Sequence, residues 1–195
     1  MEVNEALNIV QSQLTKERFA HTERVVEQAQ ILADQNGVDQ KKAAVAAALH
    51  DYAKERPLRE LRYWITHSTL PKDLLTFHHE LWHGPVGAQL ISSEHGVTWP
   101  DIQSAVYYHT TGKPHMSRLD MIVYVSDFIE PGRAFPGVQD IRDVSRTDLL
   151  KAAWMISSHT IQYLLNKQSR IYPETMYTYN DLTLKVQQRK QANSI

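Results

Sequence analysis

Between Lys16 and Asn36 the apolar residues Phe19, Val25, Val26, Ala29, Leu32 and Ala33 recur at three- and four-residue steps, the spacing that lines one face of a helix. Thr15 is suited to cap its start and Gly37 to close its end. A second helix is predicted from Asp39 through the Ala-rich stretch Ala43–Leu49 to about Ala53. Pro57 opens a short one reaching about His67, and Leu70-Pro71-Lys72 breaks the pattern. Further helices are expected from Gly84-Pro85 to Glu94 with a stop at Gly96, from Trp99 to His109 and from Arg118 to Glu130 behind a Ser117 cap. The longest is expected from Thr147-Asp148 to about Arg170, and the last over Met176–Ala192 with a fraying polar end, Gln187–Asn193. Pro131-Gly132 and Pro136-Gly137 enclose a loop of the kind that carries function or packs closely. No strand-like alternation interrupts these runs, so the pattern predicts an all-α helical bundle.

The length of 195 residues suits one domain over 1–195, with its core at about 15–180 and a polar helix end at 181–195. Lys and Arg number 21 against 22 Asp and Glu, which argues against a general nucleic-acid binder, since such a protein needs an excess of cations. Cysteine is absent, which excludes disulfides, thiolate nucleophiles and Cys-ligated zinc or iron–sulfur centres. No apolar run approaches the roughly 20 residues that span a bilayer, and no signal-peptide pattern opens the chain. A cytoplasmic protein is the expectation. Against only seven glycines stand ten histidines.

Those histidines carry the candidate chemistry. Taken singly, each reads as a hydrogen-bonded core or surface residue. In conjunction they form a pattern: His21, then His50-Asp51 29 positions later, then Asp127 on an apolar helix after another 76. Asp51 follows Ala47-Ala48-Leu49, and Asp127 follows Ile122-Val123-Tyr124-Val125, where an unpaired carboxylate would be costly to bury. A metal ion satisfies both, and facing helices of a bundle build such sites from imidazole and carboxylate. Neighbouring helical side chains point about 100° apart, so His50 and Asp51 converge only on a site at that helix's C-terminal end.

His21, His50-Asp51 and Asp127 resemble the metal-binding signature of the HD-domain phosphohydrolase superfamily. The segments His83-Gly84-Pro85-Val86-Gly87-Ala88, Tyr108-His109-Thr110-Thr111-Gly112 and Ser126-Asp127-Phe128-Ile129-Glu130-Pro131-Gly132-Arg133 are similar to its YqeK-type branch, over about residues 15–180. The resemblance implies a single HD-domain bundle with a dinuclear site in its core. It implies symmetrical hydrolysis of diadenosine tetraphosphate to two ADP by a water that the two ions share. One ion would be held by His21, His50, Asp51 and Asp127, the other by His83 and His109, with Asp51 bridging. Iron is the implied metal; ligands of this kind also suit manganese, cobalt or zinc.

Phosphoryl chemistry demands positioning and charge neutralisation. Candidate phosphate contacts are Lys54, which is equally a catalytic candidate for stabilising the leaving oxygen, Arg24, Thr110, Thr111 and Arg133, the last a bidentate clamp after the Glu-Pro-Gly turn. Tyr108 or Phe135 is placed to stack a base. His79, with His78 as the alternative, is a candidate proton donor to the leaving group. His95 and His159 read as structural, His67 and His115 as solvent-facing. A cyclic-dinucleotide phosphodiesterase is disfavoured because Leu81-Trp82-His83-Gly84-Pro85 follows His78-His79-Glu80 where Gly-x-Gly-Tyr-Pro is expected. A deoxynucleotide phosphohydrolase and a non-catalytic nucleotide-binding module remain as alternatives. The partners expected are a dinucleoside polyphosphate and its nucleotide product, with no membrane and no nucleic acid; a homodimer through the C-terminal helices is open.

Overall fold

Residues 1–192 are described in the computed structural model; the Asn193 end of the expected fraying segment and the last two positions of the 1–195 domain lie outside them. The described residues form α1 (Val3–Gln11), α2 (Lys16–Gln35), α3 (Gln40–Leu49), α4 (Leu58–His67), α5 (His83–His95), α6 (Pro100–Tyr108), α7 (Arg118–Ile129), α8 (Val138–Ser145), α9 (Leu149–Asn166) and α10 (Pro173–Ala192). Two short 3₁₀ helices, Lys72–Thr76 and His79–Leu81, lie between α4 and α5, and no strand occurs among the described residues. The all-α expectation holds.

At the centre is α3. Every residue from Ala43 to Leu49 is buried, and five of these seven are alanines. Small side chains let α1, α2, α6 and α7 close around it on all sides. Thr15 caps α2 as expected, accepting from the Arg18 N–H, and Gly37 takes the left-handed conformation while Val38 N–H reaches back to the Ala33 carbonyl. Ser117 caps α7 in a capping box with Asp120.

Several boundaries differ from the pattern. The helix expected to reach Ala53 ends at Leu49, and residues 50–55 continue in tight turns in which Tyr52 N–H bonds to Leu49 O and Lys54 N–H to Asp51 O. The helix expected to run to Arg170 stops at Asn166, where Gln168 turns left-handed and Ser169 N–H closes on the Leu164 carbonyl. With 18 residues it is shorter than α2 and α10, which have 20 each. The last helix starts earlier, at Pro173, since its buried stripe of Thr175, Thr178, Leu182 and Val186 begins with residues that hydropathy undervalues. The pattern gave no range to α1 or α8, each of which buries only two or three side chains.

Candidate functional site

Five segments meet at Asp51, which is 3% exposed. His21 comes from the second turn of α2, His50 and Asp51 from the tight turn ending α3, and His83 from the first residue of α5. His109 follows the last residue of α6, and Asp127 sits in the last turn of α7. The turn after Leu49 is what lets His50 and Asp51 face one point, with His50 Nε2 3.4 Å from Asp51 Oδ2. The two oxygens of Asp51 face different imidazoles. Oδ2 lies 3.8 Å from His21 Nε2 and 3.4 Å from His50 Nε2; Oδ1 lies 3.2 Å from His83 Nε2 and 3.7 Å from His109 Nε2. Asp127 Oδ1 joins the first set, 3.1 Å from His21 Nε2 and 3.8 Å from His50 Nε2.

Gly84 makes the second set possible. A Cβ there would stand 2.8 Å from the Tyr107 carbonyl oxygen, so only glycine lets the start of α5 lie against the end of α6. His83 and His109 consequently bring their Nε2 atoms to 2.9 Å.

The imidazoles are oriented for ligation. His50 Nδ1 lies 2.6 Å from the Ala47 carbonyl and His109 Nδ1 2.7 Å from that of Val106. His21 Nδ1 lies 3.1 Å from Glu130 Oε1. All three partners only accept, so Nδ1 carries the proton in each ring and the Nε2 lone pair of the neutral form points inward. His21 Nε2 and His50 Nε2 are buried without a hydrogen-bond partner, the first despite its closeness to Asp127, which lacks hydrogen-bond alignment. Burial pushes the His109 imidazole down to about 3, so it stays neutral. Burial opposes ionisation of Asp51, but His50 and His83 outweigh it and hold the carboxyl well below its usual range. Asp127 is lowered likewise, against burial, chiefly through His21 and His50. Inward lone pairs, ionised carboxylates and orphaned nitrogens fit a divalent metal, and the groups His21–His50–Asp127 and His50–Asp51–His109 each converge tightly enough to hold an ion.

Two chambers adjoin this cluster. One chamber, of about 420 Å³, is lined by Asp51, His83, His109 and Asp127 and walled by Leu81, Tyr124, Phe128 and Ile156. The other, of about 360 Å³, lies beside His21 and contains no aliphatic, Phe, Tyr or Trp side chain; Arg24, Glu130 and Thr15 are among its walls. Arg18 and Arg133 line both.

Among the residues expected to meet phosphate, Lys54 lines the first chamber with its amine 2.5 Å from Glu80 Oε2. Thr110 lines it too, its hydroxyl buried without a partner. Arg133 donates to Asp127 Oδ1 at 2.8 Å, and Arg24 donates to Glu130 at 2.5 Å. Thr111 is turned away, its hydroxyl donating to the Gly112 carbonyl. His79 stands outside both linings, stacked on His78 at 4.4 Å and 3.7 Å from Glu80 Oε1. Tyr108 leans on Tyr107, and Phe135 on Phe128 and His159, outside both linings as well. His95 accepts or donates at the Tyr52 hydroxyl, while His67 and His115 are exposed.

Three groups escaped the pattern. Arg18, one turn before His21 on the same face, donates to Asp51 Oδ2 at 3.1 Å. Glu130, one turn after Asp127 and 2% exposed, accepts from His21, Arg24 and the Gly132 N–H. The i±3 spacing from a ligand was the signal for both. Arg142 of α8 donates to the carbonyls of Ile129, Glu130 and Arg133, each at 2.7 Å, and so fixes the turn that carries Glu130 and Arg133.

This constellation of paired histidines and aspartates inside a helical bundle defines a class. The HD domain family model matches residues 18–132, a span that contains all six candidate ligands, and the chain belongs to that family. Over 92% of its length it is 45% identical to the symmetrical bis(5′-nucleosyl)-tetraphosphatase of Bacillus subtilis (strain 168), covering 97% of that protein. The protein of the same description from Halalkalibacterium halodurans is 43% identical over 94% of this chain and 98% of its own, and that from Staphylococcus aureus is 33% identical over 95% and 99%. A crystal structure of a predicted HD superfamily hydrolase involved in NAD metabolism from Clostridium acetobutylicum superimposes with a TM-score of 0.89 at 30% identity, covering 95% of this chain and 98% of that one. No helix among the described residues is long and apolar enough to cross a membrane.

Proposed function

We infer that this chain is a metal-dependent hydrolase that cleaves diadenosine tetraphosphate symmetrically into two ADP. The observation that carries the reading is Asp51, whose two oxygens face separate imidazole pairs on the floor of an arginine-lined cleft. Full-length similarity to three symmetrical tetraphosphatases supports the substrate.

His21, His50, Asp51 and Asp127 would hold one ion, and His83, His109 and Asp51 a second; iron is the metal we favour. A pair of ions would supply an activated water and polarise an oxygen of the phosphate whose phosphorus that water attacks. The chain's own residues do the positioning. Arg18 and Arg133 lie against Asp51 and Asp127, the carboxylates that a cation would neutralise, which leaves both guanidinium groups for phosphate. Lys54 and the unpaired Thr110 hydroxyl line the same chamber and would add contacts to the phosphate chain. Tyr124, Phe128, Ile156 and Leu81 give a base an apolar surface. His79 has to leave Glu80 to serve as proton donor to the leaving oxygen.

The test is metal content and products together. Anaerobically purified protein with about two metals per chain that yields ADP alone supports the reading. AMP plus ATP would mean asymmetric cleavage, and protein that binds no metal and turns nothing over would overturn it.

A further inference from the structure

The tight turn of residues 50–55 is tied on two sides to helices that carry other ligands. On one side Glu55 accepts from the Thr15 N–H and, at 2.9 Å, from the Thr15 hydroxyl, which fixes the turn to the start of α2, the helix of His21. On the other side Ala53 lies against α5, where a Cβ on Gly87 would stand 3.5 Å from that of Ala53. Tyr52, 1% exposed, reaches the far end of the same helix. Its hydroxyl donates to Glu94 and lies 2.9 Å from His95 Nε2. Arg56 completes the group, donating to the Tyr52 oxygen at 3.0 Å, to Glu94 at 2.8 Å and to Glu60 at 3.1 Å.

Glu94 is not where a helix by itself favours an acid. It sits exposed in the last turn of α5, at the negative end of the helix dipole. What it provides there is a second fixed point. The helix rests on the turn at Gly87 and is pinned to it again at Glu94, and its first residue is His83, whose Nε2 lies 3.2 Å from Asp51 Oδ1. At a rise of about 1.5 Å per residue, Gly87 stands about 6 Å along the axis from His83 and about 10 Å from Glu94. A sideways shift of about 1 Å at Glu94 therefore swings His83 by about 0.6 Å when α5 pivots on Gly87. Metal–ligand distances tolerate only about 0.2 Å.

We propose that Tyr52, through Glu94 and Arg56, is a positioning residue for the second ion: it sets the lie of α5 and with it the distance from His83 to Asp51. His21 is registered to the same turn separately, through Glu55 and Thr15, so the first ion does not depend on Tyr52. The proposal rests on the two-ion reading given above.

The test is calorimetric titration of the chelator-stripped full chain with manganese(II), with circular dichroism to check the fold. Tyr52→Phe removes only the hydroxyl. The expected result is a first ion bound within about two-fold of wild type and a second bound about ten-fold more weakly, the lower end of what groups behind the ligands contribute. Glu94→Ala cuts the same tie from its exposed end and should show the same selective loss, so it decides the matter if Tyr52→Phe does not fold. In the His83→Ala background, which lacks a ligand of the second position, Tyr52→Phe should leave the affinity of the remaining ion unchanged. A hydroxyl that only supports the fold weakens both ions alike or neither. Either of those results overturns the proposal, as does a further loss in the His83→Ala background. A wild-type chain that takes up fewer than two ions overturns the two-ion reading itself, and that is settled before any variant is compared.

Discussion

His83 and His109 face each other at 2.9 Å across a junction that Gly84 alone keeps open. The site therefore depends on a backbone approach as much as on its ligands. Gly84→Ala places a methyl group 2.8 Å from the Tyr107 carbonyl, and rigid backbone has to move. Overpacking of this sort costs about 1–3 kcal/mol. The expected outcome is a lower melting temperature together with weakened binding of the second ion. Calorimetric melting with elemental analysis checks it; an unchanged metal count would show that the α5–α6 junction yields without disturbing the pair.

Asp51 spans both ligand sets, whereas His83 touches one of them. Asp51→Asn is expected to abolish activity and lower occupancy of both ions. His83→Ala is expected to empty mainly the second position. Metal per chain, measured after desalting, separates the two; loss of a single ion in the Asp51 variant counts against a bridging carboxylate.

Lys54 presents a different test, since its amine is paired with Glu80. Lys54→Ala should leave metal content unchanged and lower kcat/KM about ten- to hundred-fold, the worth of a charge-assisted contact to phosphate. Steady-state kinetics on metal-quantified protein decides it, and wild-type kinetics would return Lys54 to a surface pairing role.

How far the sequence discloses all this varies with the physics of each part. The periodicity of α2 and α7 and the caps Thr15 and Ser117 are local, so they are legible. The end of α3 is not, because the alanine run favours continuation and the tight turn at His50 is imposed by the site and its neighbours. The helix α8 is hidden because it buries only Val138, Ile141 and Ser145. Asp51 and Asp127 were legible as carboxylates in apolar runs, and His21 and His50 through their conjunction with them, whereas His83 and His109 were legible only through the resemblance of their segments to a known family. Arg18 and Glu130 were not, since charged residues on an amphipathic helix read as solvated until the fold closes over them. Ile156 and Tyr124 look like core in sequence, and only the packing of α9 on α7 exposes their edges to a chamber.

Glu130 holds the Nδ1 side of His21 and gathers Arg24 and the Gly132 N–H on its other oxygen. Carboxylate partners of this type fix the tautomer and basicity of a ligating imidazole. Glu130→Gln preserves shape and removes the charge, so His21 loses its fixed orientation. The expected result is metal affinity about ten- to hundred-fold weaker, with the fold retained by circular dichroism. Isothermal titration of chelator-stripped protein measures it, and unaltered affinity would confine Glu130 to anchoring Arg24.

Arg142 lines neither of the two chambers beside the cluster, yet its guanidinium donates to three carbonyls at the end of α7 and in the turn that follows it. Those carbonyls belong to Ile129, Glu130 and Arg133, so the turn that aims Arg133 is held from behind. Removing the fork leaves three acceptors without their charged donor and costs about 2 kcal/mol or more in stability. If Arg142 acts on catalysis by positioning Arg133, the two truncations are not independent. Arg133→Ala removes the clamp outright, and adding Arg142→Ala should then lower kcat/KM hardly further, although Arg142→Ala alone lowers it clearly. A double-mutant cycle reads this directly as a coupling term. Additive losses would show that Arg142 stabilises the fold without aiming the phosphate clamp.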